Sequence, residues 1–145
     1  MTSILQNQFV QLRLLLKSYL QTVNKVTVSI HCQSTVHDST LCSITISFYS
    51  IQQQKEYSLL VDLFSFEGHQ NGTMLLDRLL TLLSDYQLLQ KVLCIVSSIG
   101  PSEMECQRLF DQYCQQHSIC FHSTFQWVFC FLDCLQLAAE SMLCS

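Results

Sequence analysis

The fold class follows from one stretch, residues 41–66, which reads LCSITISFYSIQQQKEYSLLVDLFSF. Both ends of this stretch alternate apolar with polar residues and are rich in β-branched and aromatic side chains, as strands with one buried face are. The polar residues 52–55 between them are typical of a turn. The stretch therefore predicts an antiparallel pair of strands at residues 41–51 and 57–66.

A helix and a further strand precede this pair. Between residues 4 and 23, apolar side chains recur at three- and four-residue steps with glutamines between them, which predicts an amphipathic helix. Residues 26–30, Val-Thr-Val-Ser-Ile, alternate apolar with polar side chains and predict a strand with one buried face. A polar loop over residues 33–39 joins this strand to the pair, so three consecutive strands are expected.

Helices alternate with apolar segments after the three strands. Leucines at helical spacing predict a helix over residues 74–86. It crosses over to an apolar run, residues 92–96, which we expect to be a central strand buried on both faces. Gly100 and Pro101 mark a loop, and Ser102 is the predicted N-cap of a helix that ends near His117.

A short strand at residues 118–121 and a last helix at residues 124–143 complete the pattern. The order predicts one α/β domain with a mixed sheet, in which a three-strand meander is followed by parallel strands with flanking helices. Its parts are an N-terminal amphipathic helix in residues 1–25, a sheet core in residues 26–122 and a C-terminal helix in residues 123–145. With 145 residues, 49% of them apolar, the chain is expected to form a packed core.

Charge and cysteine content restrict the partners of the chain. Charged residues make up 12% of it and the net charge is −4, so the dense basic surface of an autonomous nucleic-acid-binding protein is not expected. The apolar N-terminal stretch contains cations and no cleavage motif follows it, which predicts an intracellular protein. Nine scattered cysteines then indicate reduced thiols. The longest apolar stretch, residues 119–139, includes His122, Gln126 and Asp133, which favours a buried helix over a membrane span.

Four local patterns, in this order, resemble those of the hAT superfamily of transposases over most of the chain. Residues 28–35, VSIHCQST, are similar to the family's strand that ends in Asp-x-Trp-Thr-Ser. Residues 64–72, FSFEGHQNG, and the leucine-rich helix that ends in DYQL at residues 85–88 resemble its strand, His-Thr-Gly turn and helix. Residues 92–102, VLCIVSSIGPS, are similar to the strand that leads into Thr-Asp-Asn-Ala-Ser-Asn. Residues 119–128, ICFHSTFQWV, resemble Cys-x-x-His-x-Leu-Asn-Leu.

The resemblance implies a ribonuclease-H-like core that has lost its catalytic centre. Transposases of this fold use two Mg²⁺ ions held by three carboxylates. His31 stands at the position of the first carboxylate and Ser98 at that of the second, and the third, which the family places beyond a long helical insertion, has no counterpart in the chain. An imidazole and a neutral hydroxyl are poor ligands for hard cations. We therefore expect no catalytic residue, no cofactor and no bound metal.

Three acids could in principle substitute for the lost carboxylates. Asp38, Asp62 and Glu67 are the acids near the altered positions, but a loop position explains Asp38 and a solvent-facing strand position explains Asp62. His69 matches a turn position of the family, where a histidine more often bonds within the loop.

Two other site types fit the residue content without a specific spacing. A nucleophilic Cys32 beside His31 would place the two side chains on opposite faces of a strand. Four Cys and His residues could form a zinc site, but zinc sites usually have two pairs of ligands separated by a longer loop, which this spacing does not provide. Core packing or a place at a helix end explains the same residues. These residues are Cys114, His117, Cys120 and His122.

Aromatic residues near the C-terminus predict an interaction surface. The candidates are Phe121, Phe125, Trp127, Phe129 and Phe131, although the core face of the helix itself explains most of them. The leading hypothesis is a catalytically inactive protein derived from a hAT transposase, domesticated or decayed, that acts as a protein-interaction module through a protein partner or by self-association. DNA contact would be weak, no membrane is involved, and the resemblance implies the nucleus. The alternatives are a transposon-derived DNA-binding accessory factor and a degenerate open reading frame with no selected role.

Overall fold

Alternating apolar and polar residues place three successive strands in one half of a five-stranded sheet. The computed structural model describes residues 2–68 and 71–143 of the chain. His69 lies outside the described residues. In chain order the elements are α1 (Thr2–Gln21), β1 (Val26–Ser34), β2 (Ser39–Ser50), β3 (Lys55–Glu67), α2 (Gly72–Asp85), β4 (Val92–Ser97), α3 (Pro101–Gln116), α4 (Ser123–Gln126), β5 (Trp127–Phe129) and α5 (Phe131–Leu143).

The sheet has the strand order β3-β2-β1-β4-β5. β2 is antiparallel to β1 and to β3, whereas β4 is parallel to β1 and β5 is parallel to β4. α2 takes the chain from β3, at one edge, across to β4, and α3 connects β4 to β5. The predicted mixed α/β sheet, with a meander followed by parallel strands, is confirmed.

One face of the sheet forms the hydrophobic core because apolar residues alternate along its strands. Val28 and Ile30 on β1 and Ile44 and Ile46 on β2 are buried there. α2 and α3 pack on this face with residues at helical spacing, and α1 reaches it through its C-terminal half. The fully buried residues of these helices include Leu20, Leu75, Leu79, Leu83, Cys106, Phe110 and Cys114.

Aromatic packing fixes β5 against β4. The ring of Phe110 on α3 lies edge-on to the rings of Phe121 and Trp127, with centroid distances of 5.0 and 6.0 Å. Trp127 Nε1–H donates a hydrogen bond of 2.9 Å to Ser97 Oγ, so the one polar group of the indole has a partner inside the core. β5 therefore extends the sheet beyond residue 122, the boundary that the sequence predicts for the sheet core.

The C-terminal part of the chain departs from two predictions. Residues 118–121 are not a strand, and the predicted helix over residues 124–143 is divided into α4, β5 and α5. A short apolar run fits helical spacing as well as strand alternation, so periodicity does not separate the two. The strand conformation is favoured because it buries Trp127. The Cys130 amide extends the pairing with β4 by donating a hydrogen bond of 2.7 Å to the Ser97 carbonyl.

The second face of the sheet, which we call the outer face, carries the residues that alternate with the core ones. Cys94 and Val96 on β4 are only half-buried there, Leu93 at the bulge of β4 is 53% exposed, and Val128 on β5 is exposed as well. The prediction that β4 is buried on both faces is therefore wrong, because the apolar side chains of its outer face reach solvent.

The two terminal helices also expose apolar side chains. α1 is confirmed as a helix, but Leu5, Phe9 and Leu12 are exposed because its N-terminal half lies beyond the core. None of the residues of α5 is buried. Within residues 2–68 and 71–143, no helix has the length and apolar content needed to cross a bilayer.

Replacing the aromatic residue at the centre of the core tests this packing. Phe110→Ala should lower the free energy of unfolding by about 3–5 kcal/mol, since it leaves a cavity beside Phe121 and Trp127. Phe125→Ala is the matched control, because Phe125 is 83% exposed and its loss should change stability by less than about 0.5 kcal/mol. Urea unfolding of both variants measures the difference, and equal losses would contradict the assigned core.

Candidate functional site

The carboxyl ends of β1 and β4 form the candidate site. These strands are parallel neighbours, and the sheet grows from β1 towards β2 on one side and from β4 towards β5 on the other. In open α/β sheets, ligands bind at the carboxyl ends of the strands where the strand order reverses in this way. Ile30 and Ser97 are register partners, so His31 and Ser98, which follow them, lie side by side.

The side chains of His31 and Ser98 have different environments. His31 is exposed on the outer face of β1, whereas the preceding Ile30 is buried in the core. Ser98 is partly buried, and its Oγ donates a hydrogen bond of 3.1 Å to Oε1 of Glu103. The structure thus brings together the two positions that the resemblance assigns to carboxylates, and it finds an imidazole and a hydroxyl there.

Glu103 is a buried carboxylate that the sequence pattern did not identify as part of the site. It lies in the first turn of α3 and is 6% exposed. Gly100 is the N-cap residue and Pro101 follows it, so the predicted cap, Ser102, lies inside the helix. A Cβ at residue 100 would collide with Oε2 of Glu103. Glycine therefore lets the loop close over the carboxylate, which is favourably placed at the positive end of the helix dipole.

A second acid reaches the same loop from α5. Oδ2 of Asp133 accepts a hydrogen bond of 3.3 Å from the amide of Ile99, the residue after Ser98. In the sequence, Asp133 is only a polar interruption of an apolar stretch. Its place beside β4 depends on the unpredicted break between β5 and α5, so no local signal identified it.

The acids that the sequence offered as replacements lie elsewhere. Asp62 forms a two-pronged ion pair with Arg78, in which Nε and Nη2 donate at 2.7 and 3.2 Å. Asp38 is in the loop between β1 and β2, with a φ of 53°. Glu67 ends β3, the edge strand two positions away from β1. The carboxylates that contact the loop after β4 are therefore Glu103 and Asp133.

The residue types of a zinc site do not come together. Cys114 is fully buried in the core, and the ring of His117 stacks on Tyr113 with a centroid distance of 4.0 Å. Cys120 and His122 are exposed. In the part of the chain that the structure describes, no group of three or more His, Cys, Asp or Glu side chains is arranged to hold a metal ion.

The aromatic residues predicted as an interaction surface divide into two groups. Phe121 and Trp127 are buried in the core and are not available to a partner, because Phe110 packs against both. Phe129 is partly buried. Phe125 and Phe131 are exposed, so only these two of the five residues belong to the surface.

Comparison with known proteins adds no assignment. No protein-family model matches the chain, and no curated protein matches it in sequence.

A carboxylate restored at position 98 tests the geometry of the site. Ser98→Asp should lower the free energy of unfolding by about 1–3 kcal/mol, because it replaces the donor to buried Glu103 with a second negative charge. Ser98→Asn, which keeps a neutral donor, is the control. Urea titrations of the wild type and both variants measure the effect, and equal losses in Ser98→Asp and Ser98→Asn would contradict the contact with Glu103.

Proposed function

We propose that the chain is a catalytically inactive derivative of the ribonuclease-H-like core of a hAT transposase that acts as a protein-interaction module in the nucleus. One observation carries the proposal. His31 and Ser98 lie side by side at the carboxyl ends of two adjacent parallel strands, where the resemblance implies two metal-binding carboxylates.

The sheet topology supports the assignment to a ribonuclease-H-like core. Such a core has a three-strand meander, a crossover helix and a strand parallel to the first. The sheet order β3-β2-β1-β4-β5 has the same arrangement, because β2 is antiparallel to both β1 and β3, and β4 is parallel to β1. Topology alone does not determine function, so the residues at the strand ends carry the rest of the argument.

The chemistry of the strand ends supports the loss of catalysis. Two-metal phosphoryl chemistry needs several anionic oxygens that hold the two ions a few ångströms apart. The exposed imidazole of His31 is a poor Mg²⁺ ligand. Glu103 is already engaged by Ser98 Oγ, and Asp133 by the Ile99 amide. Both carboxylates therefore stabilise the loop after β4 through hydrogen bonds and are not placed as a pair of ligands around one metal ion.

The orientation of α5 supports an interaction role. The side of this helix that carries Asp133 faces the loop after β4, because Asp133 accepts a hydrogen bond from the Ile99 amide. Phe131, Leu135 and Met142 lie on the side of the helix away from Asp133, since successive residues are about 100° apart. All three are exposed. A contiguous apolar helix face in solvent is typical of a surface that a protein covers. We call these three residues and Leu132, which is also exposed, the α5 apolar face.

The contacts of the basic residues do not favour the DNA-binding alternative. Affinity for DNA requires cations that are free to contact phosphates. Arg13 pairs with Asp85 at 2.6 Å and Arg78 pairs with Asp62. Lys91 donates to the carbonyls of Leu20 and Gln21 at 3.2 and 2.9 Å. Lys25 donates to the carbonyl of Gln90 at 3.5 Å, so four of the seven Lys and Arg residues are engaged in hydrogen bonds or ion pairs within the chain.

The polar contacts of the core do not favour a decayed reading frame. In the described part of the chain, every buried side-chain nitrogen or oxygen has a hydrogen-bond partner. Drift without selection would be expected to leave some of these groups unpaired, because each unpaired group costs about 1–3 kcal/mol of stability. This agreement supports a product that is selected to fold.

Charge placed on the α5 apolar face tests the interaction role. Leu135→Glu should weaken binding of the partner, or self-association, by at least about tenfold, because it puts a charge into the buried centre of the contact. The matched control is Gln136→Glu, which adds the same charge on a neighbouring side of α5. Sedimentation velocity over a range of concentrations measures self-association, and affinity capture measures partner binding. Equal behaviour of wild type and Leu135→Glu in both assays would contradict the proposal.

A further inference from the structure

Two cysteines face each other across β1 and β2. Cys32 and Cys42 are register partners in the antiparallel ladder. Cys42 lies on the core face of β2, between the buried residues Ile44 and Ile46 on one side and the hairpin loop on the other, and it is fully buried. Cys32 is on the same face of β1, partly buried against the core. The two thiols therefore share one place in the sheet.

The backbone pairing sets the spacing of the two residues. The amide of Thr35 donates to the carbonyl of Ser39 at 2.7 Å, which makes residues 35 and 39 a hydrogen-bonded pair. Hydrogen-bonded and non-hydrogen-bonded pairs alternate along an antiparallel ladder. Cys32 and Cys42 are three positions further along, so they form a non-hydrogen-bonded pair, with a Cα–Cα distance of about 4.5 Å. Disulfides span Cα–Cα distances of about 4.4–6.8 Å.

We propose that Cys32 and Cys42 are a redox-active pair that forms a reversible cross-strand disulfide when the protein meets a hydroperoxide. The bond would tie β1 to β2 directly after His31, at the edge of the candidate site. This site is independent of the α5 apolar face and of the transposase assignment.

Exposure and protonation give the two thiols different roles. Cys32 is the one that solvent reaches, so the oxidant meets it first. The hydrogen bond to Cys32, together with burial, raises the pKa of Cys42 far above its usual range. Cys42 therefore stays protonated and does not attack the oxidant itself. Its place opposite Cys32 makes it the resolving thiol.

The reaction balances with a hydroperoxide as the oxidant. Cys32 gives up its proton and its sulfur attacks one peroxide oxygen, the O–O bond breaks, and a sulfenic acid forms while the other oxygen takes up that proton and leaves as water or an alcohol. As the proton of Cys42 passes to the hydroxyl of the sulfenic acid, the Cys42 sulfur attacks the sulfur of Cys32, the S–O bond breaks, and water leaves. The two thiols lose two electrons and two protons, and the peroxide gains them.

A third thiol, that of Cys106, is the competing partner. Cys106 is fully buried on α3, and burial, followed by the charges of Cys32, Glu103 and Glu105, raises its pKa to about 12. It belongs to the helical layer across the core, so no strand register holds its Cα at the cross-strand spacing. The exposed thiols Cys120 and Cys134 would cross-link separate chains.

The experiment uses a full-length background in which Cys120, Cys134 and Cys144 are replaced by Ser. The reduced protein is treated with hydrogen peroxide, quenched by alkylation and measured by intact mass and peptide mapping. We expect a mass loss of two hydrogen atoms, a cross-linked peptide that joins Cys32 to Cys42, and reversal by dithiothreitol. Cys94→Ser, at another partly buried thiol, and Cys106→Ser should leave this product unchanged. Cys42→Ser should abolish it.

Three outcomes would overturn the proposal. A cross-link between Cys32 and Cys106 would show that Cys42 is not the partner of Cys32. Oxidation of Cys32 to the sulfinic acid, without a cross-link in folded protein, would show that Cys42 does not resolve it. A cross-link that forms only after addition of urea would place the two thiols together in the unfolded chain alone. Because mapping is done on protein with both cysteines present, the test does not depend on folding of Cys42→Ser.

Discussion

The parallel pairing of β1 with β4 is the interaction on which the rest of the structure depends. It joins the antiparallel meander to the part of the chain that alternates helices and strands. Because of this pairing, the core faces of β1 and β4 lie side by side, and α2 and α3 cover one continuous apolar surface. The same pairing places His31 beside Ser98. Both the fold and the position of the candidate site therefore depend on the register between β1 and β4.

The sequence predicts the elements that have a long, regular pattern. The helix at the N-terminus, the three-strand meander and the crossover helix all have several turns or alternations, and the structure confirms them. The residues after α3, another predicted helix that the structure confirms, lack such a pattern, because their aromatic residues fit a helix and a strand equally well. Trp127 becomes a strand residue through two distant partners, Phe110 and Ser97. A contact between residues far apart in sequence leaves no periodic signal.

The candidate site is predictable to the same limited degree. His31 and Ser98 follow predicted strands, so their positions could be inferred from the resemblance. The contact of Glu103 with Ser98 could not be inferred, although the predicted helix has Glu103 in its first turn, because it depends on how the loop after β4 folds. The place of Asp133 depends on the break that begins α5. The cross-strand pair of Cys32 and Cys42 also required the register of β1 and β2, which depends on the length of the hairpin loop.

Titration of Mn²⁺ into the folded protein, followed by calorimetry, tests most directly whether the strand ends have lost their metal centre. We expect no saturable binding up to millimolar Mn²⁺, and the same flat titration for Glu103→Gln and for Asp133→Asn. Saturable binding that weakens at least about tenfold in either variant would show that these carboxylates hold an ion. That result would contradict the assignment of an inactive core.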